Sequence, residues 1–136
     1  IMNKKIIGIA CLIITLIIVF TASSDSGLDE SVISQTIFVD AVYEPENDIV
    51  LIKFVDSSEM TKLVTLEILG MEKTFHKEFL QQSFVETVQI SSIPQYGWAT
   101  MPVIFTLDHE EFGKISLKTE IHLSGEMKPR VIYSKL

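Results

Sequence analysis

A two-residue alternation of apolar and polar side chains recurs along most of this chain and restricts it to β-structure. The alternation begins at Thr36 and returns in short runs as far as Tyr133. Successive side chains of a strand point to opposite faces of a sheet, so each run predicts a strand with one buried face. Several short strands separated by turn residues are typical of an all-β sandwich or barrel.

Some of these runs are more distinctive than others. The stretch DIVLIKFVD, residues 48–56, is almost continuously apolar and suits a central strand. Residues 71–84 are ambiguous between helix and strand, but Gly70 before them favours a strand entered through a two-residue hairpin turn. The clearest inward-facing rows are Ile37, Val39, Ala41 and Tyr43; Val64, Leu66 and Ile68; and Met101, Val103, Phe105 and Leu107.

The order of these runs resembles that of an immunoglobulin-like or fibronectin type III-like sandwich of seven or eight antiparallel strands, over residues 36–136. The Cys–Trp–Cys core signature of true immunoglobulin domains is absent, because the one cysteine is Cys11. The resemblance is one of architecture, and an architecture alone does not imply a particular activity.

The first 22 residues form a separate segment, expected to be a transmembrane helix or a signal sequence. Lys4 and Lys5 precede a run from Ile6 to Ala22 without any charge. Cleavage, which would release a secreted domain, and lipidation at Cys11 are both less favoured than a retained anchor. Small residues suited to cleavage are poorly placed after Phe20, and apolar residues continue after the cysteine. The positive flank predicts a single-pass membrane protein with its C-terminal domain outside the cytoplasm.

Two further expectations concern the neighbourhood of this segment. Gly8, Ala10 and Cys11 form a small-residue strip that could pack against another membrane helix. Residues 23–35 are small, polar and acidic, and they predict a linker between the segment 1–22 and the domain 36–136.

The charge of the domain disfavours nucleic-acid binding. The whole chain has a net charge of −7, and after residue 22 nine basic residues face 18 acidic ones. A field of that sign repels phosphate backbones. With its one cysteine in the opening segment, the chain forms no internal disulfide, and no cofactor is predicted.

No arrangement of residues predicts an enzyme. The sequence lacks a G-x-S-x-G nucleophile elbow. His76 and His122 fall on outward strand positions and His109 falls at a turn, so all three are expected to be solvated. The same histidines with four methionines offer only a weak copper hypothesis.

A calcium site is the second metal hypothesis. One acidic turn contains Glu44, Glu46 and Asp48, and another contains Asp108, Glu110 and Glu111. Oxygen-rich loops at the end of a sandwich can bind Ca²⁺. The alternative is that these residues serve turn chemistry alone.

The stretch IPQYGWATMP, residues 93–102, is the most individual part of the domain. Tyr96 and Trp98 flank a glycine and follow Pro94, and loop aromatics are typical anchors of protein interfaces. The alternative is that Trp98 caps the core. The sequence therefore predicts a membrane-anchored extracytoplasmic β-sandwich with a binding or structural role, either an accessory subunit of a membrane complex or a cell-surface interaction module. The alternative is a metal-binding extracytoplasmic protein.

Overall fold

The computed structural model describes residues 28–90 and 93–136, and they form two β-sheets packed face to face. This arrangement is a β-sandwich compatible with the immunoglobulin-like fold. The elements are α1 (Glu30–Thr36), β1 (Ile37–Glu44), β2 (Ile49–Asp56), β3 (Thr61–Ile68), β4 (Phe75–Phe79), β5 (Ser83–Gln89), a 3-10 turn (Trp98–Thr100), β6 (Val103–His109), β7 (Gly113–Thr119), β8 (His122–Leu123) and β9 (Ile132–Lys135).

The strands divide between a four-stranded and a five-stranded sheet. The first has the order β5-β2-β1-β8 and the second has the order β4-β3-β6-β7-β9. All pairings are antiparallel except the short one between β1 and β8. The described residues thus contain nine strands rather than the seven or eight expected, because the two-residue strand β8 lies between β7 and the last expected strand.

The predicted alternation matches the buried rows. In β1 the four inward residues from Ile37 to Tyr43 are buried, and in β6 alternate residues from Val103 to His109 are buried. The rings of Phe54 and Phe105 stack at 6.0 Å between centroids and join the two sheets. Residues 71–84 contain β4 and part of β5, which confirms the prediction of a strand over a helix.

A short helix replaces the end of the expected linker. Helix α1 occupies Glu30–Thr36, and the Asp29 carboxylate caps it by accepting a hydrogen bond from the backbone N–H of Val32. Ile33 is only 1% exposed, so this helix belongs to the folded domain. The polar composition of residues 23–35 concealed the helix, because about two turns with one buried side chain leave no recognisable period.

The connection after β3 also differs from the expectation. Gly70 does have a positive φ of 78°, but β4 begins only at Phe75, so residues 69–74 form a longer loop than a two-residue hairpin turn. The Leu69 N–H donates to the Pro102 carbonyl at 3.1 Å, which continues the pairing of β3 with β6 by one step, and Gly70 then lies against the Thr100 carbonyl of the 3-10 turn.

The sandwich has two ends, each defined by backbone hydrogen bonds between its loops. At the α1 end, Ser57 donates its backbone N–H to Thr36 and Glu110 donates its own to Met60. At the opposite end, here called the Tyr96 end, Ile90 donates its N–H to Asp48 beside the loop of residues 93–102. Eight-residue strands such as β2 separate the two ends by roughly 26 Å.

Within residues 28–90 and 93–136, no helix has the length and apolar character needed to span a membrane. The expected anchor, residues 1–22, and its small-residue strip at Gly8, Ala10 and Cys11 lie outside the described residues.

Candidate functional site

The most elaborate polar cluster in the domain centres on the carboxylate of Asp56, the last residue of β2. Its Oδ1 atom accepts hydrogen bonds from the Ser58 backbone N–H at 2.9 Å and from the Ser58 hydroxyl at 2.6 Å. Its Oδ2 atom accepts from the backbone N–H groups of Met60 and Thr61 and from the Thr61 hydroxyl. The β2–β3 connection is therefore wrapped around one buried side chain.

His109, at the end of β6, joins this cluster from the other sheet. Its Nε2 atom lies 3.2 Å from Asp56 Oδ2 and 3.1 Å from Ser58 Oγ. Its Nδ1 atom accepts the backbone N–H groups of Glu111 and Phe112, each at 3.1 Å. Because Nδ1 is an acceptor, the ring hydrogen is on Nε2, where it can be donated to Ser58 Oγ, while the Ser58 hydroxyl donates to Asp56 Oδ1. We call Asp56, Ser58, Thr61 and His109 the Asp56 clasp.

The composition of the clasp matches a hydrolytic triad, but its geometry does not. In a triad, the serine and the aspartate contact opposite nitrogens of the histidine. Here Ser58 and Asp56 contact the same nitrogen, and backbone N–H groups occupy the other. The side chains of Asp56 and His109 are wholly buried, so a substrate cannot reach them. The clasp joins the two sheets at the α1 end and has no arrangement for nucleophilic catalysis.

The clasp also predicts how stability depends on pH. Burial would raise the pKa of Asp56, but the hydrogen bonds from Ser58 and Thr61 outweigh it and hold that pKa below its ordinary value of 3.8. A carboxylate that is harder to protonate when folded contributes stability above that ordinary value, and this contribution disappears as the pH falls through the folded pKa. In urea unfolding of the full chain, the stability difference between wild type and Asp56→Asn should shrink below about pH 4. A difference that stays constant from pH 7 to pH 3 would contradict this.

His122 forms a second buried polar cluster, on the outward face of the four-stranded sheet. Its Nε2 atom lies 2.7 Å from Asp40 Oδ1, and its Nδ1 atom lies 2.9 Å from the Leu123 carbonyl. The ammonium group of Lys128 lies beside them, 4.2 Å from the centroid of the Phe38 ring. Partial burial lowers the pKa of Lys128, and the negative charge of Asp40 opposes that effect.

The expectation of three solvated histidines is therefore wrong for two of them. His109 is 2% exposed and His122 is 7% exposed, whereas His76 is exposed beside Glu67 on β4 and β3. His109 was assigned to a turn, but it is the last inward residue of β6. His122 faces outward as predicted, but the segment carrying Lys128 crosses over the same face. The acidic partners of these histidines, Asp56 and Asp40, are distant in sequence, so a local pattern does not predict the burial.

The two acidic turns do not form one site. Glu44, Glu46 and Asp48 lie at the Tyr96 end, whereas Asp108, Glu110 and Glu111 lie at or next to the α1 end. In the part of the chain that the structure describes, no group of three or more histidine, cysteine or acidic side chains is placed to hold a metal ion. The two predicted sets of calcium ligands thus lie at opposite ends of the sandwich, about the length of a strand apart.

The aromatic loop divides into one inward and one outward residue. Trp98 is half-buried in the 3-10 turn and packs against Tyr43 of β1, with 5.1 Å between ring centroids. Tyr96 is 81% exposed, and Pro94 is half-buried. The alternative interpretation of Trp98, a cap on the core, is the one that its contacts favour, and it leaves Tyr96 as the exposed aromatic.

A cleft of about 810 Å³ lies beside this loop. The loop after β3 forms one wall through Met71, Glu72 and Lys73, the other wall includes Pro94 and Gln95, and Met101 contributes from the core side. Apolar and charged groups thus line the same opening, next to an exposed tyrosine. Loops held by a rigid sheet in this way are where binding residues commonly lie.

Comparison of the chain with protein-family models, with curated proteins and with solved structures gives no match, and its function is therefore inferred from this geometry.

Proposed function

We propose that the chain is a membrane-anchored, extracytoplasmic β-sandwich that binds another protein through the Tyr96 end. The single observation that supports this is the exposed ring of Tyr96 on a loop that Trp98 fixes to the core. A rigidly held, exposed aromatic side chain loses little entropy on binding, which is why tyrosine is frequent among the residues that dominate interface energies.

The position of the predicted anchor, before α1, also favours the Tyr96 end as the binding surface. The segment 1–22 has the charge and hydropathy of an anchor with Lys4 and Lys5 on the cytoplasmic side. The described domain begins at α1, so an anchor preceding it would hold the α1 end toward the bilayer. The Tyr96 end, roughly 26 Å away, would then face outward toward partners.

The finer assignment of the fold is part of the proposal. In an immunoglobulin constant-type sandwich the fourth strand shares a sheet with the first, second and fifth. Here β4 pairs instead with β3, in the sheet of β6 and β7. We assign this order to a fibronectin type III-like variant, an architecture that many cell-surface domains use for binding.

Two versions of the role follow from the opening segment. In one, the helix packs through Gly8, Ala10 and Cys11 against a larger membrane complex and the sandwich caps that complex outside. In the other, the domain is a separate cell-surface module. A purified protein that stays monomeric in mild detergent, without co-purifying subunits, would contradict the first version.

Replacing Tyr96 with alanine should reduce partner recovery at least tenfold, because the central aromatic of an interface commonly contributes about 2 kcal/mol or more. The measurement is quantitative mass spectrometry of proteins co-purified with the full chain from its native membranes after mild cross-linking. Leu80→Ala is the matched control, because Leu80 is similarly exposed, at 78%, but lies at the α1 end. Equal recovery with Tyr96→Ala and wild type, or a selective loss with Leu80→Ala, would overturn the proposal.

A further inference from the structure

Charge is distributed very unevenly between the two parts of the described domain. Residues 28–112 contain four basic and 15 acidic residues, whereas residues 113–136 contain five basic and two acidic residues. The five cations, all exposed, are Lys114, Lys118, Lys128, Arg130 and Lys135. An acidic domain therefore has one basic margin, formed by β7, β9 and the segment that precedes β9.

Most of these cations have no partner among the residues that the structure describes. Lys77 is the one lysine that forms an ion pair with a carboxylate within 4 Å in residues 28–90 and 93–136. Lys128 is occupied by the Phe38 ring and by the nearby Asp40. Lys114, Lys118, Arg130 and Lys135 are left as exposed charges along one edge of the five-stranded sheet.

That edge is the strand β9. It pairs with β7 over Ile132–Lys135, and it is the last strand of its sheet in the described residues. Tyr133 holds it against the core, and the Leu136 N–H donates to the Lys114 carbonyl at 3.0 Å, which extends the ladder by one residue. Ile132 is 55% exposed and Leu136 is 66% exposed. The strand is thus firmly attached on one side and open on the other.

The other edge strands are β4, β5 and β8, and β8 is only two residues long, which itself limits strand pairing. Between β4 and β5, Lys77 pairs with Glu86 at 3.0 Å and the Phe79 and Phe84 rings stack at 3.8 Å. Side-chain contacts of this kind protect a free edge from unwanted strand pairing. For β9 the described residues supply no comparable contact.

We propose that β9 is a docking edge to which a partner adds an extended, acidic segment as a further strand. Backbone groups of the added segment would pair with the open side of β9, and acidic side chains on its outward face would lie near Lys114 and Lys118 of β7. Lys135 shares the inward face with Tyr133 and lies on the other side of the added strand. Outward side chains two strands away are about 10 Å apart, a span that a lysine and a glutamate can cover together. This surface is separate from Tyr96 and does not depend on the function proposed there.

The positive charge of the basic margin favours an acidic segment over a second copy of the chain as the partner of β9. Pairing β9 with β9 of another molecule would bring the unpaired cations of two basic margins together, which is unfavourable. An acidic segment meets the same margin with opposite charge, and exposed lysines remain available to it.

The test uses the full chain in non-ionic detergent and a fluorescent eight-residue peptide in which valine alternates with glutamate. Fluorescence anisotropy should show binding at least tenfold tighter than that of the same peptide with lysine in place of glutamate. A proline in the middle of the acidic peptide should abolish binding, because it cannot donate to the ladder. Amide shifts measured by NMR should change mainly in residues 131–136.

Charge reversal supplies the matched comparison. The double variant Lys114→Glu and Lys118→Glu should weaken peptide binding at least tenfold. Lys53→Glu with Lys62→Glu changes the net charge equally at two exposed lysines outside the margin, and should change binding less than twofold. Thermal unfolding of both double variants checks that they remain folded.

Three outcomes would overturn the proposal. Absence of peptide binding would show that the cations only guard the edge against pairing. Binding that is unaffected by the central proline would show a charge contact without an added strand. Binding to vesicles with 30% anionic lipid, in the absence of peptide binding, would assign the basic margin to a lipid surface.

Discussion

Replacing Asp56 with alanine will lower the free energy of unfolding by about 3–5 kcal/mol, the range for removing one partner of a buried, hydrogen-bonded charge. The carboxylate accepts five hydrogen bonds from Ser58, Met60 and Thr61 and lies 3.2 Å from His109 Nε2. Alanine leaves these donors in a buried site, where an unsatisfied polar group costs about 1–3 kcal/mol. Because Asp56 ends β2 of the four-stranded sheet whereas Thr61 and His109 belong to the five-stranded sheet, the change loosens the sandwich itself. Urea unfolding of the full chain followed by circular dichroism measures it.

Two nearby substitutions show whether the loss of stability is specific to the contacts of the Asp56 clasp. Thr61→Val removes one donor at nearly constant volume and should cost about 1 kcal/mol. Asp108→Ala removes a half-exposed carboxylate one residue from His109 and should change stability by less than about 0.5 kcal/mol. A loss below 1 kcal/mol for Asp56→Ala would show that water replaces the carboxylate and that the clasp does not hold the sheets together.

The sequence predicted the repetitive part of the fold because that part has a period. Each inward row, such as the one from Ile37 to Tyr43, contributes a local pattern that does not depend on what packs against it. At Phe75–Phe79 the spacing is also compatible with a helix, and the glycine before it, Gly70, favoured the strand. A hairpin turn at Gly70 implies the observed pairing of β4 with β3, but the length of the loop between them has no local signature.

The polar clusters could not be predicted, because their contacts join residues far apart in sequence and have no local period. Asp56 and His109 are 53 residues apart, and each alone looks like a residue at the end of a strand. His122 alternates outward as expected and is buried only because the segment with Lys128 folds over it. Buried polar groups must be paired, but the sequence does not say with what. One available signal was the pair Asp56 and Ser58, an aspartate followed by a serine in a strand-to-strand turn.

The residues of the proposed interaction site were singled out together by the sequence. The sequence selected Pro94, Tyr96 and Trp98 together, and the structure gives them different positions: Trp98 against Tyr43 and Tyr96 in solvent. Aromatic residues in a loop do not show by themselves which one faces the core. The division matters because the packing of the half-buried Trp98 against Tyr43 would restrict the loop that carries Tyr96, and a restricted ring loses less entropy on binding.

Replacing Gly70 with alanine will destabilise the domain by about 3–4 kcal/mol, because a left-handed backbone and a steric overlap act together. Gly70 has a φ of 78°, and a Cβ atom there would overlap the carbonyl oxygen of Thr100 and lie 3.3 Å from Met101 Cγ. The backbone oxygen cannot move alone, since Thr100 belongs to the 3-10 turn that positions Trp98. Relief of the overlap must therefore shift the turn.

Gly113→Ala is the matched control for that prediction. Gly113 has nearly the same φ, 72°, but a Cβ atom there would meet nothing within 4 Å, so its cost should be the conformational one alone, about 1–2 kcal/mol. The fluorescence of Trp98, the single tryptophan of the chain, distinguishes the two variants further. Its emission should shift in folded Gly70→Ala, where the turn moves away from Tyr43, and stay unchanged in Gly113→Ala. Equal destabilisation in the two variants would mean that the loop after β3 yields more easily than the turn, and that Tyr96 is held less rigidly than its role as an anchor requires.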